Sequence, residues 1–399
     1  MKRRIALTAS LLSAFVSLVP MGTFARPLIA PQSRSPQAYS VPHDAGKVAQ
    51  YLDVYNTGSP GIYPGQYVRY SLPNLTLLQT TQADGVGSPM AFNAKRVPYF
   101  VDESPPSIGN FGLYEQPIGM KVVPAVFQFG GVPCQSSSLS IGPNGDFYVN
   151  QYCSNSVLEF KPGATKGGKP KKPIAIYTGG NLGSTEHPTY AVVDHKGNLY
   201  VGDSGGGVTY FPHGSTTGTV ILQTGRSQPV TQMVVDKNGD VWSIHLGDPT
   251  PVYFADDTTC VPDPSGHIVR TDLAEHFSQG QFVQQLYTTP TDISDAVNEG
   301  VSIAVDSQLR VYAGSFYNGG SSFVLDYDPG QSCPDVPRTI VLAHGADPQV
   351  AVDSKRRLYV TDQADNTIAS YKSGSTKPIA KIAQATGIVT PTYAGIPQM

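Results

Sequence analysis

Short runs of alternating apolar and polar residues, broken by turn residues, recur along this chain at a near-fixed spacing, as in β-repeat proteins. Residues 190–203 (YAVVDHKGNLYVGD) read as strand, tight turn, strand. The pattern returns as MVVDKNGDVWSI (233–244), IAVDSQLRVYAG (303–314) and VAVDSKRRLYVTD (350–362). It also returns as LSIGPNGDFYVN (139–150), where Gly142 replaces the aspartate. The turn chemistry fits hairpins: Asp accepts bonds from the backbone just after it, and the following Gly or Asn supplies positive φ.

Each copy continues into a third strand that ends on an aromatic, two residues and a glycine. The instances are Phe160 to Gly163, Phe211 to Gly214, Tyr327 to Gly330 and Tyr371 to Gly374. A fourth apolar run follows each: IAIYTGG, VILQTG, IVLAHG and IAKIAQATG. The turn markers at 142, 194, 236, 306 and 353 lie 52, 42, 70 and 47 residues apart, the long interval holding an insertion over 248–276. A degenerate sixth copy precedes them: VPYFVDE (97–103), NFGLYEQPIG (110–119) and VVPAVFQFGG (122–131). The pattern predicts an all-β chain, a six-bladed β-propeller of four-stranded antiparallel blades occupying residues 47–399. An open ring would expose a strand edge, so one end of the chain must close it. PTYAGI (391–396) echoes PTYAVV (188–193) and is expected in or beside the first blade; the strand-like runs within 47–80 are the other candidates.

Composition agrees with many short strands and tight turns. Charged residues are 14%, against about 25% in ordinary globular chains, with 41 glycines and 34 prolines. The net charge of −3 and the lack of a basic stripe argue against nucleic-acid binding. Lys166 to Lys172 (KGGKPKK) reads as a solvated loop. At the N-terminus, Lys2, Arg3 and Arg4 precede an apolar run, Ile5 to Val19, and small residues end at Ala25. This is the plan of a signal peptide (1–25) cleaved after Ala25, which implies a secreted or periplasmic protein. The run is too short for a membrane span. Residues 26–46, with four prolines, read as a disordered lead-in. Export favours disulfides among the four cysteines, and of the three possible pairings the repeat map favours Cys134–Cys153 with Cys260–Cys333.

The pattern of short strand, Val-Asp, Gly turn, Leu-Tyr-Val and Asp resembles the NHL-repeat propellers over about residues 85–390. VVDHKGNLYVGDS and AVDSKRRLYVTDQADN carry the resemblance, and the second is also similar to YVTN-type repeats. Regucalcin- and gluconolactonase-like propellers share the architecture. In those proteins a channel metal held by Glu, Asn and Asp activates water against a lactone. That resemblance implies Asn150, Asp203 and Glu299 as residues to test, with Asp347 a further oxygen donor and His187 the imidazole nearby. The ion expected for such a set is Ca²⁺, with Zn²⁺ favoured only if histidine takes part.

Recurrence weighs against Asp203, because the same aspartate caps a turn in several blades, whereas Glu299 and His187 are unique to theirs. His213, His267, His276 and His344 fall in turns or in the insertion and read as exposed. No G-x-S-x-G, H-E-x-x-H or P-loop pattern occurs. The leading expectation is a monomeric binding or scaffold module that takes a protein or small-molecule ligand at its channel mouth or loop face. The alternative is a metal-dependent lactonase-type hydrolase or lyase.

Overall fold

A computed structural model describes residues 51–56, 65–83, 86–87, 91–92, 98–103, 111–115, 125–129, 138–162, 172–183, 186–223, 228–246, 252–254, 268–270, 272–287, 298–317, 321–329, 338–342, 348–362, 367–382 and 391–395. The expected signal peptide and lead-in, Cys134, Cys260, Cys333, His267, His344 and Asp347 lie outside them.

The chain opens with a three-strand meander, β1 (Tyr51–Asn56), β2 (Gly65–Ser71) and β3 (Thr76–Ala83). The degenerate first copy follows as a five-stranded sheet of β4 (Val86–Gly87), β5 (Ala91–Phe92), β6 (Pro98–Glu103), β7 (Phe111–Glu115) and β8 (Ala125–Phe129). The next copy is β9 (Leu139–Ile141), β10 (Phe147–Gln151), β11 (Ser156–Phe160) and β12 (Ala175–Tyr177). Then come β13 (Pro188–Val193), β14 (Leu199–Asp203), β15 (Val208–Phe211) and β16 (Thr219–Leu222). The blade that carries the insertion contains β17 (Val230–Val235), β18 (Val241–His245), the hairpin β19 (Val252–Phe254) and β20 (Ile268–Arg270), then β21 (Asp272–Ser278) and β22 (Gln281–Tyr287). The last two copies are β23 (Asn298–Val305), β24 (Val311–Tyr317), β25 (Ser321–Tyr327) and β26 (Arg338–Val341), and β27 (Gln349–Val352), β28 (Leu358–Asp362), β29 (Thr367–Tyr371) and β30 (Pro378–Ile382). The final strand is β31 (Pro391–Gly395).

Six sheets among the described residues have four antiparallel strands, as expected for a six-bladed all-β propeller. Closure uses both ends of the chain. β31 pairs with β1, Val54 opposite Ala394, so the meander and the last strand form a four-stranded sheet of their own. The sheet of the degenerate copy is five-stranded and stands in addition to these six. The third strand of the inserted blade is β21, so the extra chain ends before Asp272, and residues 272–276 belong to the blade. Among the described residues no helix is long and apolar enough to cross a membrane.

The turn aspartates act as read from the sequence. Asp194 Oδ1 accepts the amides of Lys196 (2.8 Å) and Asn198 (2.9 Å). Asp236, Asp306 and Asp353 repeat the arrangement. Gly142 departs for a steric reason: a Cβ there would lie 3.0 Å from the Tyr148 ring. Its turn carries backbone bonds, Gly142 N donating to Asp146 O and Gly145 N to Gly142 O, each at 2.9 Å.

Where side chains are described, adjacent blades pack face to face. Tyr190, Tyr200 and Val208 pack with Val230, Met233 and Phe277 of the next blade, and Ala351, Tyr359 and Ile368 pack with Leu52, Val54 and Tyr70 of the closing sheet. Side chains of this size each contribute about 1.5–3 kcal/mol when fully buried.

The first strand of a blade is a sheet edge, and its outward backbone groups would be orphaned in the ring without partners. Polar side chains of the preceding blade supply them. Ser138 and Ser140 accept from the amides of Ala191 and Val193 at 3.0 and 3.2 Å. Thr231 donates to Gly300 O at 2.7 Å, and Gln232 accepts from Ile303 N at 2.6 Å. Ser302 donates to Pro348 O at 2.6 Å and accepts from Val350 N at 3.2 Å. Gly314 lets that last pair of blades approach, since a Cβ there would fall 2.2 Å from Pro348 O.

Candidate functional site

In each antiparallel pair the start of the first strand lies beside the end of the second, so both open onto one face. The polar residues that end the second strands are buried beneath it: Asn150, Asp203, His245, Ser315 and Asp362 are all 4% exposed or less. Asn150 links blades, its Oδ1 accepting from Ser138 N at 2.6 Å and its Nδ2 donating to Pro188 O at 2.9 Å. His245 Nε2 lies 2.7 Å from Glu275 Oε1, and its Nδ1 lies 2.7 Å from Leu246 O. Ser243 donates to the other Glu275 oxygen at 2.5 Å, so this pair is an internal network.

Asp203 Oδ1 accepts from Gly205 N and Gly207 N at 2.9 and 2.8 Å, capping the turn into β15. Its Oδ2 is buried, and the Asn181 side chain lies beside it. Burial raises the Asp203 pKa, with the Glu186 carboxylate adding to the rise and the two backbone bonds opposing it.

Above this buried layer the loops of two blades meet at His187, the residue before β13. Asn155 closes the short 3-10 turn Tyr152–Ser154 in the left-handed region (φ 49°), which small polar residues such as asparagine tolerate. Its Nδ2 donates to Gly183 O, which turns Oδ1 toward His187 Nδ1 at 2.5 Å. An amide oxygen can only accept, so Nδ1 is the donor, and in the neutral imidazole the lone pair then lies on Nε2. The Tyr152 ring lies against the imidazole, centroids 4.3 Å apart. Beside it, Ser204 Oγ donates to Glu186 Oε2 at 3.1 Å and accepts from His187 N at 3.0 Å. The half-buried His187 makes no bond through Nε2 to any described residue.

Of the residues expected from sequence, the structure brings His187, Asn150 and Asp203 together around Pro188, which is opposite Asp203 in the strand register. Glu299 lies two sheets further round, opposite Phe316 in β23. Asn155, Tyr152, Glu186 and Ser204 were not anticipated; an Asn inside a Cys-Ser-Asn-Ser turn was the available signal for a left-handed residue. His276, expected in an exposed turn, instead sits in β21 with its side chain 15% exposed, stacked on Trp242 at 4.0 Å. The expected insertion (248–276) ends at His276, immediately before Phe277-Ser-Gln-Gly280, which is the aromatic-to-glycine signature of a third strand that already includes His276.

No protein-family model and no curated protein matches the chain. Solved structures do. The periplasmic gluconolactonase of Pseudomonas aeruginosa superposes with a TM-score of 0.60 at 12% identity, over 88% of this chain and 99% of that one. Virginiamycin B lyase from Staphylococcus aureus gives 0.52 at 10% identity, over 78% of this chain and 88% of that one. Hydrazine synthase from Kuenenia stuttgartiensis gives 0.52 at 12% identity, over 77% and 88%. Proteins with three different activities on one architecture leave function to the site. The chain is an all-β propeller similar in fold to gluconolactonase-like propellers.

Proposed function

We propose that this is an exported propeller that binds a small, oxygen-rich ring compound at the His187 face and opens it with water, in the manner of a lactonase. The observation that carries the reading is the contact of Asn155 Oδ1 with His187 Nδ1. Asn155 holds Nδ1–H, Tyr152 holds the ring plane, and Nε2 is left as a base at the surface of the site. A base oriented in this way takes a proton from water as it attacks a carbonyl, and returns it to the leaving ring oxygen. Ser204 and Glu186 are placed to hold substrate hydroxyls. Asp203 is a positioning residue that fixes the turn bearing Ser204. The fold shared with a gluconolactonase adds support.

The Ca²⁺-dependent form of this reading is less favoured by the residues, because Asn150 already spends its amide oxygen and nitrogen on backbone groups. The test is acid release from gluconolactone, followed with a pH indicator against spontaneous hydrolysis. His187→Gln should lower kcat/KM by about 10²–10⁴, and Asn155→Ala by less. Absence of turnover above the spontaneous rate, or full activity in His187→Gln, would refute the reading.

One observation favours a second reading, capture of a partner protein. β19 and β20 form a separate two-stranded sheet outside the four strands of their blade. Replacing residues 247–271 by a short Gly-Ser link should then abolish partner capture and leave lactone turnover untouched.

A further inference from the structure

The opposite face of the ring, where first strands turn into second strands, carries a group of side chains with a different chemistry. Asp236, Asp240 and His276 offer ligand atoms that all lie within 4.8 Å of one another. Asp236 is the turn aspartate of its blade, Asp240 ends the same turn, and His276 reaches in from β21, the third strand. His276 Nε2 is buried with no hydrogen-bond partner among the described residues, 3.6 Å from Asp240 Oδ2.

Tryptophan 242 orients two members of the group. Its indole stacks on the His276 ring at 4.0 Å with 2° between planes, and its Nε1–H donates to Asp236 Oδ2 at 3.0 Å. This is the kind of outer contact that fixes metal ligands in place.

We propose that Asp236, Asp240 and His276 form a binding site for one Zn²⁺ ion, which clamps the β17–β18 turn to β21. One imidazole and two carboxylates are a mixed nitrogen and oxygen set of the borderline kind that Zn²⁺ takes. Ligands about 2.0–2.1 Å from a tetrahedral zinc stand about 3.3 Å apart. The 3.6 Å separation of His276 and Asp240 is already close to that value. A fourth position is left for water, and the two negative charges match the charge of the ion.

The chain has one tryptophan, and it touches two of the three ligands, so the site has its own reporter. Full-length protein without an affinity tag, stripped with a chelator, should show a saturable change in Trp242 emission on titration with Zn²⁺, at one ion per chain. His276→Gln and Asp240→Asn should each weaken binding by at least about tenfold and leave the circular dichroism of the sheets unchanged. The His195 ring packs against Gly239, next to the site, and serves as the control. His195→Gln should leave the titration unaltered. No saturable emission change, or a titration that His195→Gln abolishes while His276→Gln does not, would overturn the assignment. Lactone turnover reports the other face, so its failure and a failure of Zn²⁺ binding are separate results.

Discussion

Replacing Ser302 by alanine tests whether the ring is held by side chains that satisfy the edges of neighbouring blades. Ser302 is fully buried, and its hydroxyl serves two backbone groups of the next blade, Pro348 O at 2.6 Å and Val350 N at 3.2 Å. Alanine leaves both orphaned. The space vacated is one oxygen atom, too small for a water to take over the bonds. An unsatisfied buried polar group costs about 1–3 kcal/mol, so the pair should cost about 2–4 kcal/mol, at the upper end of ordinary single substitutions. Ser375 is a matched control, since its hydroxyl also accepts an amide (Lys377 N, 3.1 Å) and donates to a carbonyl (Lys377 O, 3.2 Å), but at the surface. Water replaces it there, and Ser375→Ala should cost less than about 0.5 kcal/mol. Urea unfolding of both variants, followed by circular dichroism, measures the difference. Equal shifts in the two midpoints would refute the edge-satisfaction argument.

Further outcomes are expected from other parts of the molecule. Gly314→Val should destabilise by at least about 1–3 kcal/mol through overpacking, because even a Cβ would meet Pro348 O at 2.2 Å; thermal melting checks this. Asp53 and Arg69 form a bidentate pair (2.6 and 3.0 Å) buried in the closing sheet, and Asp53→Ala should cost about 3–5 kcal/mol by stranding the guanidinium. For His276 the folded pKa lies below the unfolded value, so the unfolded chain binds the proton more readily. Its contribution is present above the unfolded value of about 6.5 and is lost as pH falls through that value toward the folded one. In chelator-treated protein, His276→Gln should remove this part of the pH dependence. Asp203 has the opposite sign, its raised folded pKa making stability fall as pH rises through and above the ordinary carboxylate range. Asp203→Asn keeps an oxygen for Gly205 and Gly207, and should flatten that slope in pH-dependent unfolding. For export and cysteine pairing, the mature N-terminus should be Arg26, and non-reducing peptide mapping should link Cys153 to Cys134.

What the sequence determined is what depends on near neighbours in the chain. The turn aspartate bonds to amides two and four residues on, so Val-Asp before a glycine turn could be read at Asp194 and Asp236 without any structure. Third strands announce themselves by an aromatic, two residues and a glycine, a signal present even at Phe277 where it was overlooked. Closure was signalled only by the echo of PTYAVV (188–193) in PTYAGI (391–396), which pointed to the closing strand without naming its partner. β31 meets β1 from the far end of the chain, and strand edges pair through backbone groups that every sequence carries.

The candidate site belongs to the same class of facts. His187 and Asn155 are 32 residues apart, and only the packing of two blades sets one ring nitrogen against one amide oxygen. Buried roles were equally hidden. Asn150 looked like a ligand donor because its type allows it, and it became a blade link because Pro188 of the next blade needed a partner for its carbonyl. Local hydrogen bonds could thus be read from the order of residues. Blade-to-blade contacts could not, because the ring alone decides which unpaired groups face each other.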